Sequence, residues 1–248
     1  MNAMSVSRNR YFDNTKNHTI FTAPAVCEWL AEILKDEIKE GGILFDPAVG
    51  AGNLLSPFEN VIKLGADIED FEPDIDSFLL GDFLDWKVGE YSAPDLILIN
   101  PPYNHSVESR KKWGRSSLLP ELFASHCFDL FGKDIKMILF TPMGLRLNTR
   151  CSTVKQGSRY RNIRDNWGDI TSIVSLPLDC FPNPDFDNDS DIVRRNPGKG
   201  IMKSNIKRKE TQQEILFFNM PNLKPHYCLP DSVIEELRVM DKEAWSEI

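Results

Sequence analysis

Cysteine is scarce in this chain, and no pair of cysteines has metal-ligand spacing. Five among 248 residues (Cys27, Cys127, Cys151, Cys180 and Cys228) stand far apart, without a C-x-x-C pair or a histidine at ligand spacing. That pattern argues for reduced thiols and against a zinc site, and so for a cytoplasmic protein without a structural metal. No window approaches eighteen unbroken apolar residues, so neither a transmembrane span nor a membrane partner is expected. The first ten residues place no apolar segment after their basic ones, which speaks against a secretory signal. Repeats and low-complexity tracts are missing as well, which excludes solenoids and long disordered polymers. What is present suffices for one sizeable core: 41% of the residues are hydrophobic, and the length fits a single domain over 1–248.

The formal net charge of −8 looks hostile to a polyanion until it is resolved by position. Segments 110–115, 146–164 and 194–209 hold 17 of the 29 Lys and Arg residues and contain no Asp or Glu, leaving 12 basic against 37 acidic residues elsewhere. Screening over roughly 8 Å lets a nucleic acid respond to such a patch rather than to the average charge. Three solvated loops are the bland alternative.

Apolar positions Val26, Trp29, Leu30, Ile33, Leu34 and Ile38 recur at three-to-four spacing and predict an amphipathic helix over 23–39, with Thr22 as its cap and Gly41 and Gly42 as its stop. Ile43 to Phe45 reads as a short strand running into Asp46, Pro47, Ala48, Val49, Gly50, Ala51, Gly52 and Asn53. A crossover helix over 54–62 follows, despite Pro57, then a strand from Leu64 to Asp67 and a third ending at Gly81, Asp82 and Phe83. Asp95 to Ile99 is a buried strand that stops at Asn100, Pro101, Pro102 and Tyr103. Further on come a helix over 118–131, strands at 136–140, 170–176 and 213–220, and a terminal helix over 231–240. This alternation predicts an α/β fold, a doubly wound, mostly parallel sheet with helices on both faces. Residues 182–212 are polar and aperiodic, and read as a basic loop insertion.

In such sheets ligands bind beyond the carboxyl ends of the strands. Four predicted strands here end in polar or glycine-containing turns that open on one edge. Gly50 and Gly52 allow close backbone approach to a ligand, or serve a tight turn only. Asp67 offers acceptors to a ribose diol, or caps a turn. Asp82 and Phe83 could hold an adenine, although Phe83 also reads as a core residue. The tetrapeptide after Ile99 is the sharpest signal. An amide, two rigid prolines and an aromatic stand at the mouth of a buried strand where the fold itself requires none of them. The Asn100 side-chain oxygen and the Pro101 carbonyl could accept both hydrogens of a planar exocyclic amine, with Tyr103 as a stacking face and Pro102 fixing the backbone.

Together these residues resemble the S-adenosylmethionine-dependent N6-adenine DNA methyltransferases of the Asn-Pro-Pro-Tyr type, and the modification subunits of type I restriction systems among them. The resemblance covers most of the chain. It implies a Rossmann-like class I methyltransferase fold, with S-adenosylmethionine as cofactor. Phe21, Thr22, Ala23 and Pro24 resemble the family's N-terminal cofactor segment, so that Thr22 and Ala23 would close over the cofactor. Asp46, Pro47, Gly50 and Gly52 resemble the glycine motif that faces the methionine part, and Asp67, Asp82 and Phe83 the ribose and adenine contacts. Asn100, Pro101, Pro102 and Tyr103 would be catalytic. Phe181 lies near a second base-stacking position, and Arg146 and Arg150 fall in a basic segment that would contact DNA. Only 28 residues follow Met220, which leaves no room for a separate C-terminal target-recognition domain of ordinary size. Target reading would then fall to the basic segments or to a specificity or restriction subunit, or recognition would be relaxed.

The implied reaction extrudes an adenine and lets its N6 amine attack the cofactor methyl group without a covalent enzyme intermediate. No catalytic His, Cys or metal is required, and His18, His105, His126 and His226 read as surface or structural residues. The same tetrapeptide would also serve a methyltransferase acting on RNA bases or on protein glutamine. A catalytically idle module that binds cofactor or nucleic acid is the alternative from another class.

Overall fold

The computed structural model of the chain describes residues 22–103, 118–142, 145, 165–176, 213–226 and 228–237. The three basic segments, the insertion at 182–212, and Phe21, Arg146, Arg150, Phe181, His18 and His105 lie outside them.

A seven-stranded sheet forms the centre. Its strands are β1 (Ile43–Asp46), β2 (Ile62–Asp67), β3 (Ser77–Leu80), β4 (Leu96–Ile99), β5 (Met137–Pro142), β6 (Ile170–Ser175) and β7 (Gln213–Phe218). They lie in the order β3-β2-β1-β4-β5-β7-β6. Pairing is parallel from β3 through β5, whereas β7 runs antiparallel between β5 and β6. The order reverses between β1 and β4, where the connections leave toward opposite sides of the sheet and open a crevice at the carboxyl edge.

Alternation along β4 shows how both faces are filled. Leu96 and Leu98 join one core layer while Ile97 and Ile99 join the other, and all four are fully buried. The first layer packs against α1 (Pro24–Leu34), through Val26, Leu30 and Leu34, and against the helical stretch 231–237, through Val233 and Leu237. The second packs against α2 (Leu119–Phe131), through Phe123, Ala124, Cys127 and Phe128. Each such buried side chain contributes about 1.5–3 kcal/mol relative to exposure, which is why a four-residue strand suffices when both its faces are covered. The doubly wound sheet is therefore as the sequence predicts. Cys27 and Cys127 are buried free thiols, and burial raises the pKa of both.

Two local expectations fail. No α-helix occupies 54–62: the chain makes a run of turns over 50–57, and Ile62 already belongs to β2. Gly50 and Gly52 have φ of 50° and 83°, Asn60 has φ of 57°, and Pro57 has no N–H to continue a helical ladder. Helix α1 ends at Leu34, short of Lys39, and residues 35–37 turn away. Lys136 fixes that turn, since its Nζ donates to the Glu37 carbonyl at 2.8 Å and pairs with the Glu37 carboxylate at 2.8 Å. Ile38 nevertheless packs into the core, which is why its periodicity looks helical.

Gly65 controls how closely the turn after β1 sits on β2. A Cβ there would lie 2.8 Å from both Cβ and Cγ1 of Val49 and from Cδ1 of Ile75. Substitution Gly65→Ala is expected to destabilise the protein by about 1–3 kcal/mol through overpacking, read as a lower urea midpoint at unchanged slope.

Candidate active site

The crevice is built from the residues that leave the parallel strands. After β1, Asp46 is almost fully buried, at 2% exposure, and its Oδ1 accepts from the backbone N–H of Ala48 at 2.9 Å. The chain then lies across the end of β2: the Val49 N–H donates to the Ala66 carbonyl at 3.0 Å and the Gly50 N–H to Asp67 Oδ2 at 2.9 Å. Asp67 Oδ1 accepts from the Glu69 N–H at 3.1 Å, so both of its oxygens are engaged by backbone. Pro47, Gly50 and Gly52 are buried in this turn, and the left-handed φ of the two glycines is what lets it fold so tightly.

Two carboxylates thus share one mouth. Burial raises the pKa of Asp46 well above the ordinary carboxylate value; the bond from Ala48 opposes the rise and the charge of Asp67 adds to it. Burial also raises Asp67, against the bonds from Glu69 and Gly50. Neither has a cationic partner among the described residues, and these contain no metal-binding cluster. Acceptors without cations fit a ligand that carries positive charge and hydroxyl donors.

The tetrapeptide leaves the neighbouring strand. Leu44 pairs with Leu96 and Phe45 with Ile97, so one further step sets Asp46 beside Leu98, and the turn at 47–48 departs next to Ile99 and Asn100. Adjacent strands lie about 4.8 Å apart, so the glycine turn and the tetrapeptide flank one another at the switch point. Asn100 is partly exposed, Pro101 buried, Pro102 exposed and Tyr103 partly buried.

Thr22 and Asn100 meet although 78 residues separate them. Asn100 Nδ2 donates to Thr22 Oγ1 at 3.1 Å, which turns the amide so that Oδ1 remains an acceptor. This corrects the reading of Thr22 as a helix cap. Ala23 occupies the N-cap position and makes no side-chain capping bond, and Pro24 in the first turn has no N–H to satisfy. The Thr22 hydroxyl, in a residue 3% exposed, serves the amide instead. At the other end of the tetrapeptide the Tyr103 hydroxyl donates to Gln213 Oε1 at 2.8 Å. Burial raises the Tyr103 pKa, so the phenol stays protonated and remains a donor. Sequence reasoning missed Gln213. Its only local signal is a polar residue opening an apolar strand, and its place at the crevice follows from β7 running antiparallel.

Asp82 accepts from the Leu84 N–H at 3.0 Å and caps the 3-10 turn Phe83–Asp85. Phe83 follows as the first residue of that turn. Phe83 is 1% exposed, stacks on Phe123 at 5.8 Å and meets Phe45, Trp86 and His126. Its apolar neighbours all belong to the core layer that packs on α2. His126 packs edge-on against Phe83, with its pKa lowered by burial, and His226 meets Trp29 at 5.6 Å, so both are structural as expected.

No family model and no curated protein sequence matches the chain. Solved structures do resemble it. A candidate class I S-adenosylmethionine-dependent methyltransferase from Listeria monocytogenes superposes with a TM-score of 0.56 at 16% identity, over 90% of this chain and 72% of that one. The modification subunit of a candidate type I restriction enzyme from Vibrio vulnificus gives 0.60 at 13% identity, over 98% and 56%. A type I methyltransferase subunit from Streptococcus thermophilus gives 0.51 at 15%, over 90% and 52%, so the chain spans about half the length of these two subunits. The fold is the Rossmann-like fold of class I S-adenosylmethionine-dependent methyltransferases.

The buried carboxylates carry a testable cost. A carboxyl whose pKa is raised on folding binds its proton more tightly in the native state, so stability falls as pH rises from the ordinary carboxylate range through the raised value. Asp46→Asn keeps an oxygen for the Ala48 N–H and removes the charge. It is expected to raise the melting temperature of the ligand-free protein at pH 7.5 by roughly 2–4 °C, about 1 kcal/mol, and to leave it unchanged at pH 4. Thermal unfolding followed by circular dichroism at the two pH values reads this, and a variant no more stable at pH 7.5 would show that burial is not the dominant influence on Asp46.

Proposed function

We propose that the protein transfers the methyl group of S-adenosylmethionine to the N6 amine of an adenine turned out of DNA. The observation that carries this reading is an Asn-Pro-Pro-Tyr turn at the switch point, beside an anionic glycine turn, with the Asn100 amide oriented by Thr22. The donor set fits the cofactor. Asp46 and Asp67 would face its positive charge and its ribose hydroxyls, the backbone at Gly50 and Gly52 would approach its methionine part, and Asp82, Thr22 and Ala23 would complete the enclosure. When bound, S-adenosylmethionine supplies a methyl group already activated on a sulfonium.

The chain's own residues then have to position the acceptor. Asn100 Oδ1 and the Pro101 carbonyl accept the two hydrogens of the exocyclic amine, which aims the nitrogen lone pair toward the methyl group. Two prolines hold these acceptors in one backbone conformation, so little freedom is lost when the base arrives. Tyr103 offers a face on which the extruded ring stacks. The amine becomes cationic as the new bond forms, and the two oxygens that hold its hydrogens stabilise that charge until a proton leaves to solvent. No enzyme nucleophile takes part.

The basic segments 110–115, 146–164 and 194–209 would supply the phosphate contacts, with Arg146, Arg150 and Phe181 as substrate residues within or near them. The resemblance to modification subunits, of which this chain spans about half, supports a specificity or restriction subunit as partner in target reading.

The test offers labelled cofactor to the full chain together with duplex DNA, single-stranded DNA, RNA and protein acceptors, and identifies the modified group by mass. Label is expected in N6-methyladenine of DNA, with binding that weakens steeply with salt as counterions are released. Label in cytosine N4 would correct the base and keep the chemistry, and label in RNA or in protein glutamine would overturn the DNA reading. Asn100→Ala should lower the rate by about 10²-fold or more while cofactor affinity changes little; unchanged turnover would refute the role of Asn100.

A further inference from the structure

Gln213 lies outside every sequence motif of the site, yet it bonds directly to a member of the tetrapeptide 110 residues away. Its own backbone is held on both sides. It pairs with Pro142 at the end of β5, and its carbonyl accepts from the Leu176 N–H at 3.0 Å. Behind it, Glu214 to Phe218 are fully enclosed between β5 and β6. The Gln213 side chain is thus a short arm on a rigid post. Tyr103, in contrast, lies four residues past the end of β4, and its hydroxyl is held by this bond to Gln213.

We propose that Gln213 is a positioning residue for methyl transfer: through the Tyr103 hydroxyl it sets the direction of the ring on which the acceptor base stacks. The phenol oxygen lies on the ring's long axis, so a bond there holds that axis and fixes χ1, while the paired prolines fix the backbone end. Tyr103 is pinned at both ends before a base arrives. Preorganisation of this kind removes an ordering cost from the reactive complex and acts on turnover more than on cofactor binding. The inference rests on the proposed methyl transfer for its kinetic consequence, but the pinning itself does not.

Turnover is measured with whichever acceptor the wild-type chain methylates, for Gln213→Met, Gln213→Glu, Tyr103→Phe and the double variant Gln213→Met/Tyr103→Phe. Gln213→Met is expected to lower kcat about tenfold with KM for S-adenosylmethionine unchanged, and Gln213→Glu, which keeps an acceptor, to recover most of the loss. In the Tyr103→Phe background the Gln213→Met substitution should add nothing, because the hydroxyl through which it acts is gone. Additive losses, or a Gln213→Met variant with wild-type kcat, would overturn the proposal. A second readout is independent of turnover. In protein carrying ¹³Cζ-labelled tyrosine, the Tyr103 resonance, assigned by its disappearance in Tyr103→Phe, should shift in Gln213→Met and return toward its place in Gln213→Glu. An unshifted resonance overturns the pinning, whereas wild-type protein that methylates none of the acceptors refutes the proposed function and leaves the resonance to decide the contact.

Discussion

Parallel pairing of β1 with β4 is the constraint on which the site depends. Two parallel strands send their carboxyl ends to the same edge, and at a switch point their continuations separate to opposite sides of the sheet. The register Leu44 to Leu96 and Phe45 to Ile97 brings Asp46 level with Leu98, so the glycine turn and the tetrapeptide leave the sheet side by side. A slip of one residue would exchange the faces of all four β4 side chains and move Leu96 and Leu98 away from α1. Burial of both faces of β4 therefore specifies the geometry of the crevice as well as the stability of the core.

Polar groups at this edge are supported in two different ways. The carboxylates of Asp46 and Asp67 are satisfied by backbone N–H groups, Asp46 by Ala48 and Asp67 by Glu69 of its own turn and by Gly50 of the turn after β1, with no cation among the described residues to offset burial. The amide of Asn100 and the hydroxyl of Tyr103 are satisfied by side chains that come from far along the chain, Thr22 ahead of α1 and Gln213 at the start of β7. The first arrangement leaves an anionic mouth suited to a cation. The second leaves Asn100 Oδ1 to accept, and holds the Tyr103 hydroxyl on Gln213. Backbone N–H groups suffice to satisfy the two carboxylates, whereas the amide and the long axis of the ring are held by side chains whose own elements are held by the core.

Several elements were legible because their signals are local. The run from Leu96 to Ile99 has no polar position and can only be a strand covered on both faces, and Asn100 with two prolines ends it by chemistry that any parallel strand would obey. The alternation of strands and helices announced a doubly wound sheet in the same way. Residues 54–62 were expected to form the crossover helix despite Pro57, whereas the chain makes turns as far as residue 57, takes φ of 57° at Asn60 and enters β2 at Ile62. Thr22 looked like a cap because it precedes a helix, but Ala23 holds the N-cap position and the Thr22 hydroxyl accepts from Asn100. Phe83 follows an acidic residue at a strand end and so resembled a ligand contact, until the aromatic cluster around it showed the ring to be core.

Strand ends, turn residues and the identity of the tetrapeptide are written in short stretches of chain, where periodicity and backbone restriction act within a few residues. Which distant side chain supports which was settled by packing. Gln213 reaches Tyr103 because β7 enters the sheet against the direction of β5, so that its first residue rather than its last stands at the crevice. That direction depends on how β6 and β7 fill the space beside β5, a long-range pairing whose energy is shared over many buried contacts and leaves no mark on residue 213 alone.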